Sequence, residues 1–171
     1  MRPVFLLFIC SLSFSYLVKA GVPVPQLRTS YFSSQTTQGK NNFYQLVQKA
    51  DENDAVQLAY KGVAIAMYAE LVDGPYDKLS YFNQGKALLE KAISKAPQNA
   101  EIRFLRFSVQ DNVPWIVNYS DQLEEDAAFL LGAIRSNKVN AKEDFWKKAI
   151  QFMLLSDDIN NSQKAELKKY Q

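Results

Sequence analysis

Histidine is absent from the 171-residue chain, and cysteine occurs once, at Cys10. Without histidine, the chain cannot form a Ser/His or Cys/His catalytic dyad, and it has no imidazole ligand for zinc. Glycine and proline occur six times each, hydrophobic residues make up 47% of the sequence and charged residues 22%. This composition is typical of one folded domain and excludes a collagen-like or a disordered chain.

Segment 1–20 is predicted to be a secretory signal peptide. Arg2 precedes an apolar run over residues 4–17 that several serines interrupt. Val18 and Ala20 place small side chains at the two positions before the cleavage site that favour cleavage. A membrane span needs about 18 apolar residues in a row, so the serines argue against the alternative, a retained anchor. We therefore expect cleavage after Ala20, release into the periplasm or medium, and no stable membrane insertion afterwards.

The charge balance of the exported form excludes nucleic acid as a partner. Removing segment 1–20 takes away Arg2 and Lys19, so the 20 basic and 18 acidic side chains of the whole chain become 18 of each. A chain without excess positive charge has no general attraction to phosphate backbones. Cys10 is removed with the same segment, so a hydrophobic core rather than a disulfide must stabilise the fold.

The hydrophobic pattern predicts an all-α fold. From Gln26 onward, apolar residues recur at spacings of three and four, and no segment sustains a period of two. We expect an antiparallel helical-hairpin array, tetratricopeptide-like, with six to eight helices. The predicted divisions after the signal peptide are an N-terminal segment with a short helix at 21–39, a helical domain at 40–155, and a short helix or frayed tail at 156–171.

Capping residues predict four helix starts. Asp54 and Asn99 are predicted N-caps. Asp121 with Glu124, and Asn140 with Glu143, have the spacing of capping boxes. The expected helices lie after Pro25, at 43–50, 54–71, 78–96 and 100–110, from 121, from 140, and over the frayed end at 163–171.

A stripe of small residues marks the helix at 54–71 as central. The stripe consists of Ala55, Ala59, Gly62, Ala66 and Ala69. Small side chains let a neighbouring helix approach closely, which explains why a glycine is tolerated inside a helix. We expect this helix and the next to pack as an antiparallel pair, with Gly62 and Gly85 facing other helices.

One spacing resembles a tetratricopeptide repeat. Gly85, Leu89, Ala92 and Pro97 are separated by four, three and five residues, as in the second helix of that repeat. The match is partial, because Gly62 lies 23 residues before Gly85 where the repeat places a glycine 12 before it. An ordinary antiparallel helix pair remains the alternative.

A longer stretch resembles an uncharacterised family of small exported helical proteins from Bacteroidota. The matching segments are LAYKG at 58–62, KLSYF at 78–82 and EIRFLRF at 101–107, of which the last is the most specific. The resemblance covers roughly residues 40–135. It implies a tetratricopeptide-like fold and a periplasmic or secreted location, and it supplies no activity and no catalytic residues.

No motif in the sequence predicts a reaction. Dinucleotide and P-loop fingerprints are absent. The acidic run at 124–126 could hold a general acid for glycoside cleavage, but acids in a first helical turn are explained by the helix dipole. We therefore expect that the protein has no enzymatic activity and binds no cofactor and no metal ion. The alternative is a carboxylate-dependent hydrolase acting on envelope glycan.

One polar stripe is a candidate binding site. Arg103, Arg106 and Gln110 lie three and four residues apart, on one face of a helix. Two guanidinium groups and an amide could hold a carboxylate of a partner, with Tyr60 and Trp115 as aromatic walls. The structural alternative is that the arginines pair with acids of neighbouring helices, such as Glu70, Asp73 or Asp126.

The favoured interpretation of these patterns is a non-enzymatic module of the cell envelope. It would act as a scaffold or bind a protein or peptide partner.

Overall fold

The computed structural model describes residues 21–114 and 117–171. Within these ranges the chain forms eight α-helices and a terminal 3₁₀ turn, with no strand, so the all-α prediction is confirmed. The predicted signal peptide and Trp115 lie outside the described residues. The helices are α1 Val24–Phe32, α2 Thr37–Val47, α3 Ala55–Tyr68, α4 Pro75–Lys95, α5 Ala100–Asn112, α6 Leu123–Arg135, α7 Asp144–Leu155 and α8 Asn161–Leu167, with the 3₁₀ turn at Lys168–Tyr170.

Two helix starts follow the predicted caps. The Asp54 side chain accepts a hydrogen bond from the Gln57 N–H at 2.9 Å and opens α3. The Asn99 side chain accepts from the N–H groups of Glu101 and Ile102 at 3.0 and 3.1 Å and opens α5. Each cap satisfies backbone donors that have no partner inside the helix.

The two predicted capping boxes are wrong. Helix α6 begins at Leu123, with Gln122 at the N-cap and no side-chain cap, so Asp121 lies outside the helix. Helix α7 begins at Asp144 rather than beside Asn140. The Asn140 side chain instead accepts from the Lys142 N–H at 3.1 Å, which stabilises the preceding turn.

A capping box does occur at the C-terminal end. The Asn160 side chain accepts from the Gln163 N–H at 3.0 Å, and the Gln163 side chain accepts from the Asn160 N–H at 2.9 Å. This box starts α8, so the expected frayed end contains a capped helix over Asn161–Leu167. Because Leu167 is fully buried, the tail packs onto the body.

One hydrophobic core joins the three divisions predicted after residue 20. It contains Leu27 from α1, Phe104 from α5 and Leu167 from α8, each with no exposed surface. Helix α2 begins at Thr37, so the predicted boundary at residue 39 falls inside a helix. Segments 21–39 and 156–171 therefore belong to the same folded unit as 40–155.

Helices α3 and α4 approach closely through two glycines. A Cβ added to Gly62 would lie 2.8 Å from the Gly85 carbonyl oxygen and the Leu89 nitrogen, and one added to Gly85 would lie 2.5 Å from the Ala66 nitrogen. Gly62 thus faces Leu89 while Ala66 faces Gly85, so the two helices run antiparallel. The predicted packing of Gly62 and Gly85 against helices is confirmed.

Helix α5 is buried on every side from Glu101 to Gln110. Its Phe104 ring lies 6.3 Å from the Tyr31 ring of α1 and 5.7 Å from the Phe145 ring of α7, between ring centroids. It also contacts α3, α4 and α6. The candidate binding stripe Arg103, Arg106 and Gln110 would need an open face of this helix, and neighbouring helices cover that face.

Replacing Gly62 with alanine should destabilise the fold by about 1–3 kcal/mol, since the added methyl group meets the α4 backbone, which cannot rotate away. Gly132 in α6 is the matched control, because a Cβ there meets nothing within 4 Å. Gly132→Ala should stabilise by up to about 1 kcal/mol through helix propensity. Urea unfolding measures both, and equal effects of the two variants would contradict the close contact.

Candidate functional site

The predicted arginine stripe lies inside the protein. Arg103 is 8% exposed, Arg106 4% and Gln110 2%. The sequence correctly placed the three side chains on one helix face. It did not reveal that helices α4 and α6 cover this face.

A single buried carboxylate holds both arginines. Asp126 of α6 has no exposed surface. Its Oδ2 accepts from Arg106 Nε at 2.7 Å, and its Oδ1 accepts from Arg106 Nη2 at 2.9 Å and from Arg103 Nη1 at 2.7 Å. Burial by itself would lower the pKa of Arg106, but the bonds to Asp126 outweigh it and raise that pKa. Both guanidinium groups are therefore charged and paired.

Further side chains extend this arrangement to α4 and the loop before α6. Arg106 Nη1 donates to Glu90 Oε2 at 3.1 Å, and the Tyr119 hydroxyl donates to the other oxygen of Glu90. Burial, reinforced by Glu90, raises the pKa of Tyr119, which keeps the hydroxyl protonated as a donor. We call Arg103, Arg106, Asp126, Glu90 and Tyr119 the Asp126 cluster.

The Asp126 cluster corresponds to the structural alternative for the arginine stripe. Of the three acids considered as partners, Asp126 is the one that pairs with the arginines, while Glu70 pairs with Lys40 and Asp73 is exposed. Gln110 joins the same side of α5, where its Nε2 donates to Gln122 Oε1 at 2.9 Å. Within the described residues, Gln110 Oε1 has no hydrogen-bond partner.

Tyr60 is not an aromatic wall of a groove, because its side chain is fully buried. Its hydroxyl donates to Glu101 Oε1 at 2.7 Å. Arg28 of α1 donates to the same carboxylate, from Nε to Oε1 at 2.9 Å and from Nη2 to Oε2 at 2.6 Å, and it also pairs with Glu143. Burial, with Glu101 beside it, raises the pKa of Tyr60. We call Arg28, Tyr60 and Glu101 the Glu101 cluster.

Three tyrosines from different helices form a partly buried aromatic surface. The Tyr44 and Tyr68 rings stack with centroids 4.0 Å apart, and the Tyr81 ring lies 5.1 Å from Tyr68 and 6.4 Å from Tyr44. The sequence analysis missed this tyrosine patch. Each tyrosine lies at the edge of an apolar stripe, but the sequence contains no signal that brings α2, α3 and α4 together at this point.

Two of the pockets on the described surface lie between helices. The larger, of about 330 Å³, lies between the start of α5, helix α6 and helix α7. The smaller, of about 180 Å³, lies between α1 and the start of α7. The larger pocket is lined by Gln98, Asn99, Ala100, Glu101, Phe129, Ala133, Lys138, Val139 and Trp146. Among the described residues, no group of three potential metal ligands occurs.

Comparison of the chain with models of protein families, with curated proteins and with solved structures finds no match. In the described part of the chain, no helix combines the length and the hydropathy that a membrane span requires.

Replacing Asp126 with alanine should destabilise the protein by about 3–5 kcal/mol, because it leaves two buried guanidinium groups without their shared partner. Replacing both Arg103 and Arg106 with alanine should have a similar effect, since it strands the Asp126 carboxylate. Glu125→Ala is the matched control, because this neighbouring acid pairs with Arg103 but its side chain is 63% exposed. It should cost at most about 1 kcal/mol.

Thermal and urea unfolding of these variants measure the differences. Unchanged stability of the double arginine variant would show that the Asp126 cluster does not support the fold, and would return the arginines to the list of candidate binding residues.

Proposed function

We propose that this chain is an exported helical module of the cell envelope that binds a protein partner and carries out no reaction. The observation that carries the proposal is the tyrosine patch formed by Tyr44, Tyr68 and Tyr81. Tyrosine is enriched at the energetically important positions of protein interfaces, because it offers a large amphipathic contact area with few rotatable bonds.

The shape and setting of the tyrosine patch favour a protein segment over a small molecule. None of the three tyrosines lines either pocket. The stacked rings leave no room between Tyr44 and Tyr68 for a ligand, so a partner must lie across their outer surfaces. Lys40, one helical turn before Tyr44, pairs with Glu70, which places a charged pair at the edge of the aromatic surface.

The alternative, a carboxylate-dependent hydrolase acting on envelope glycan, has less support. Such an enzyme needs two carboxyl groups facing one cleft, about 5–9.5 Å apart. The larger pocket is lined by one carboxylate, that of Glu101, and Arg28 and Tyr60 already bind it. The smaller pocket is lined by two acids, but Glu143 pairs with Arg28, and Asp144, whose side chain is 81% exposed, pairs with Lys148. Asp126, which has no exposed surface, is held by two arginines away from both pockets.

The tetratricopeptide-like arrangement and the link to exported proteins of Bacteroidota belong to the same proposal. Support comes from the antiparallel pair α3 and α4, in which Gly85, Leu89 and Ala92 are all buried. These are the residues whose spacing resembles the second helix of the repeat.

Export is supported by the sequence of segment 1–20 and by how the chain continues after it. Val22 is 5% exposed, and its N–H donates to Gln57 Oε1 at 2.9 Å. Gln57 Oε1 also accepts from the Asp51 N–H at 2.9 Å. A chain that starts at Gly21 would therefore have its second residue anchored to α3.

The exported protein should begin at Gly21. Intact mass measurement and N-terminal sequencing of the protein recovered from the periplasm or medium test this expectation. A chain that still begins at Met1, or one that stays in the membrane fraction after carbonate washing, would contradict it.

A photo-crosslinking amino acid placed at position 81 should capture a protein partner in the native envelope, and the same partner should be captured from position 44. Position 76 in α4 is the matched control, since Tyr76 is 83% exposed but does not belong to the stacked group. Tyr68→Ala should abolish capture from position 81 while the protein remains folded by circular dichroism. Equal capture from position 76, or capture that survives Tyr68→Ala, would contradict the proposal.

A further inference from the structure

The larger pocket has two chemically different sides. Phe129, Ala133, Val139 and Trp146 supply apolar surface from α6, α7 and the loop between them, whereas Gln98, Asn99 and Glu101 supply polar groups from the start of α5. We propose that this pocket binds one uncharged sugar ring of an envelope glycan. The C–H faces of such a ring pack against aromatic and aliphatic side chains, while its hydroxyl groups hydrogen-bond to amides and carboxylates.

The Glu101 carboxylate is held ready to accept a further hydrogen bond. The residue is 7% exposed, and its Oε1 accepts from Arg28 Nε and from the Tyr60 hydroxyl. Its Oε2 accepts one bond within the described residues, from Arg28 Nη2. A carboxylate oxygen has two lone-pair sites, so Oε2 retains one for a ligand hydroxyl. Because Arg28 and Tyr60 fix the carboxylate, binding loses little rotational freedom at Glu101.

Asn99 supplies the complementary donor. Its Oδ1 is occupied by the N–H groups of Glu101 and Ile102, as the cap of α5. The cap leaves the amide Nδ2 with two hydrogens to donate. A hydroxyl group, which both donates and accepts, can bond to Glu101 and Asn99 at once.

The charges of the pocket favour a neutral ligand. Glu101 and Lys138 are the two charged residues among the lining side chains, so the acidic and basic charges cancel. The Arg28 guanidinium further neutralises Glu101 from inside the protein. A cation would find this carboxylate already paired, and an anion would meet it at close range. A neutral sugar does not depend on an unpaired charge for binding, and the Glu101 carboxylate does not repel it.

The pocket has enough room for a sugar ring. Its volume of about 330 Å³ is at the lower end of the range for small-molecule sites. The Arg103 guanidinium lies over the Phe129 ring, 5.0 Å from its centroid, and this contact helps to hold the apolar wall in place. The pocket therefore fits a terminal or exposed unit of a glycan rather than a long stretch of chain.

The intrinsic fluorescence of Trp146 provides the test. Trp115 and Trp146 are the two tryptophans of the sequence, so Trp115→Phe leaves Trp146 as the one reporter. Titration of this variant with N-acetylglucosamine or methyl glucoside should give a saturable change with a Kd of about 1 mM, which corresponds to roughly −4 kcal/mol. Saturation-transfer NMR with the same sugars on the unaltered chain gives a second measurement, in case Trp115→Phe does not fold.

One variant tests each side of the pocket, and a third serves as the control for the apolar side. Val139→Phe adds a ring that fills the apolar side and should weaken sugar binding at least tenfold, whereas Ala128→Phe adds the same ring on the exposed surface of α6 and should leave it unchanged. Asn99→Asp keeps a side-chain cap for α5 but removes the amide donor and should weaken binding similarly.

The assignment is overturned if no saturable signal is seen at tens of millimolar sugar, or if binding survives Val139→Phe and Asn99→Asp. It is also overturned if acetate or a trimethylammonium probe binds and the sugars do not. The tyrosine patch lies on other helices, so Tyr68→Ala should not alter the sugar titration. Failure of the sugar site and failure of the proposed protein partner are therefore distinguishable.

Discussion

The burial of α5 on every side from Glu101 to Gln110 is the constraint on which the rest of the structure depends. A helix buried on all sides is stable when its side chains are apolar, but this one carries Glu101, Arg103 and Arg106. Removing charged groups from water costs several kcal/mol each unless partners replace the water. Every helix packed around α5 must therefore present a complementary group or an apolar surface at a defined position.

The two ion-pair clusters meet this requirement at different points along α5. The Glu101 cluster, at the start of the helix, ties it to α1 through Arg28 and to α3 through Tyr60. The Asp126 cluster, two to five residues later, ties it to α6 and, through Glu90, to α4. Buried ion pairs add little net stability compared with apolar residues, but an unpaired member is costly. They therefore select the arrangement in which every charged group has its partner.

Residues that act locally could be read from the sequence, and residues that act across helices could not. Asp54 and Asn99 cap their helices through backbone groups two or three residues away, so the sequence contains all the information that is needed. The box predicted at Asp121 failed because its spacing also fits a turn, and Gln122 is the residue that precedes the helix. Asp126 was one of several acids on neighbouring helices, and helix packing decides which of them reaches Arg106.

The same distinction explains the errors at the candidate site. The periodicity of α3 did not show on which side Tyr60 would lie, because the helix is apolar over most of its circumference. The tyrosine patch depends on the relative positions of three helices, which no spacing within one helix records. The larger pocket combines residues from positions 98 to 146, and its polar side is recognisable only once α5 is placed beside α6 and α7.

Glu101 connects the stability of the fold to the chemistry of its surface. The carboxylate is needed inside, where it satisfies Arg28 and Tyr60, and it also lines the larger pocket. A group held in this way by buried donors cannot adapt to a ligand, so the ligand must match its position. Both of its oxygens accept hydrogen bonds from these donors, so the carboxylate acts as a hydrogen-bond acceptor toward a ligand as well. The interactions that stabilise α5 thus also fix the position of a polar group at this part of the surface.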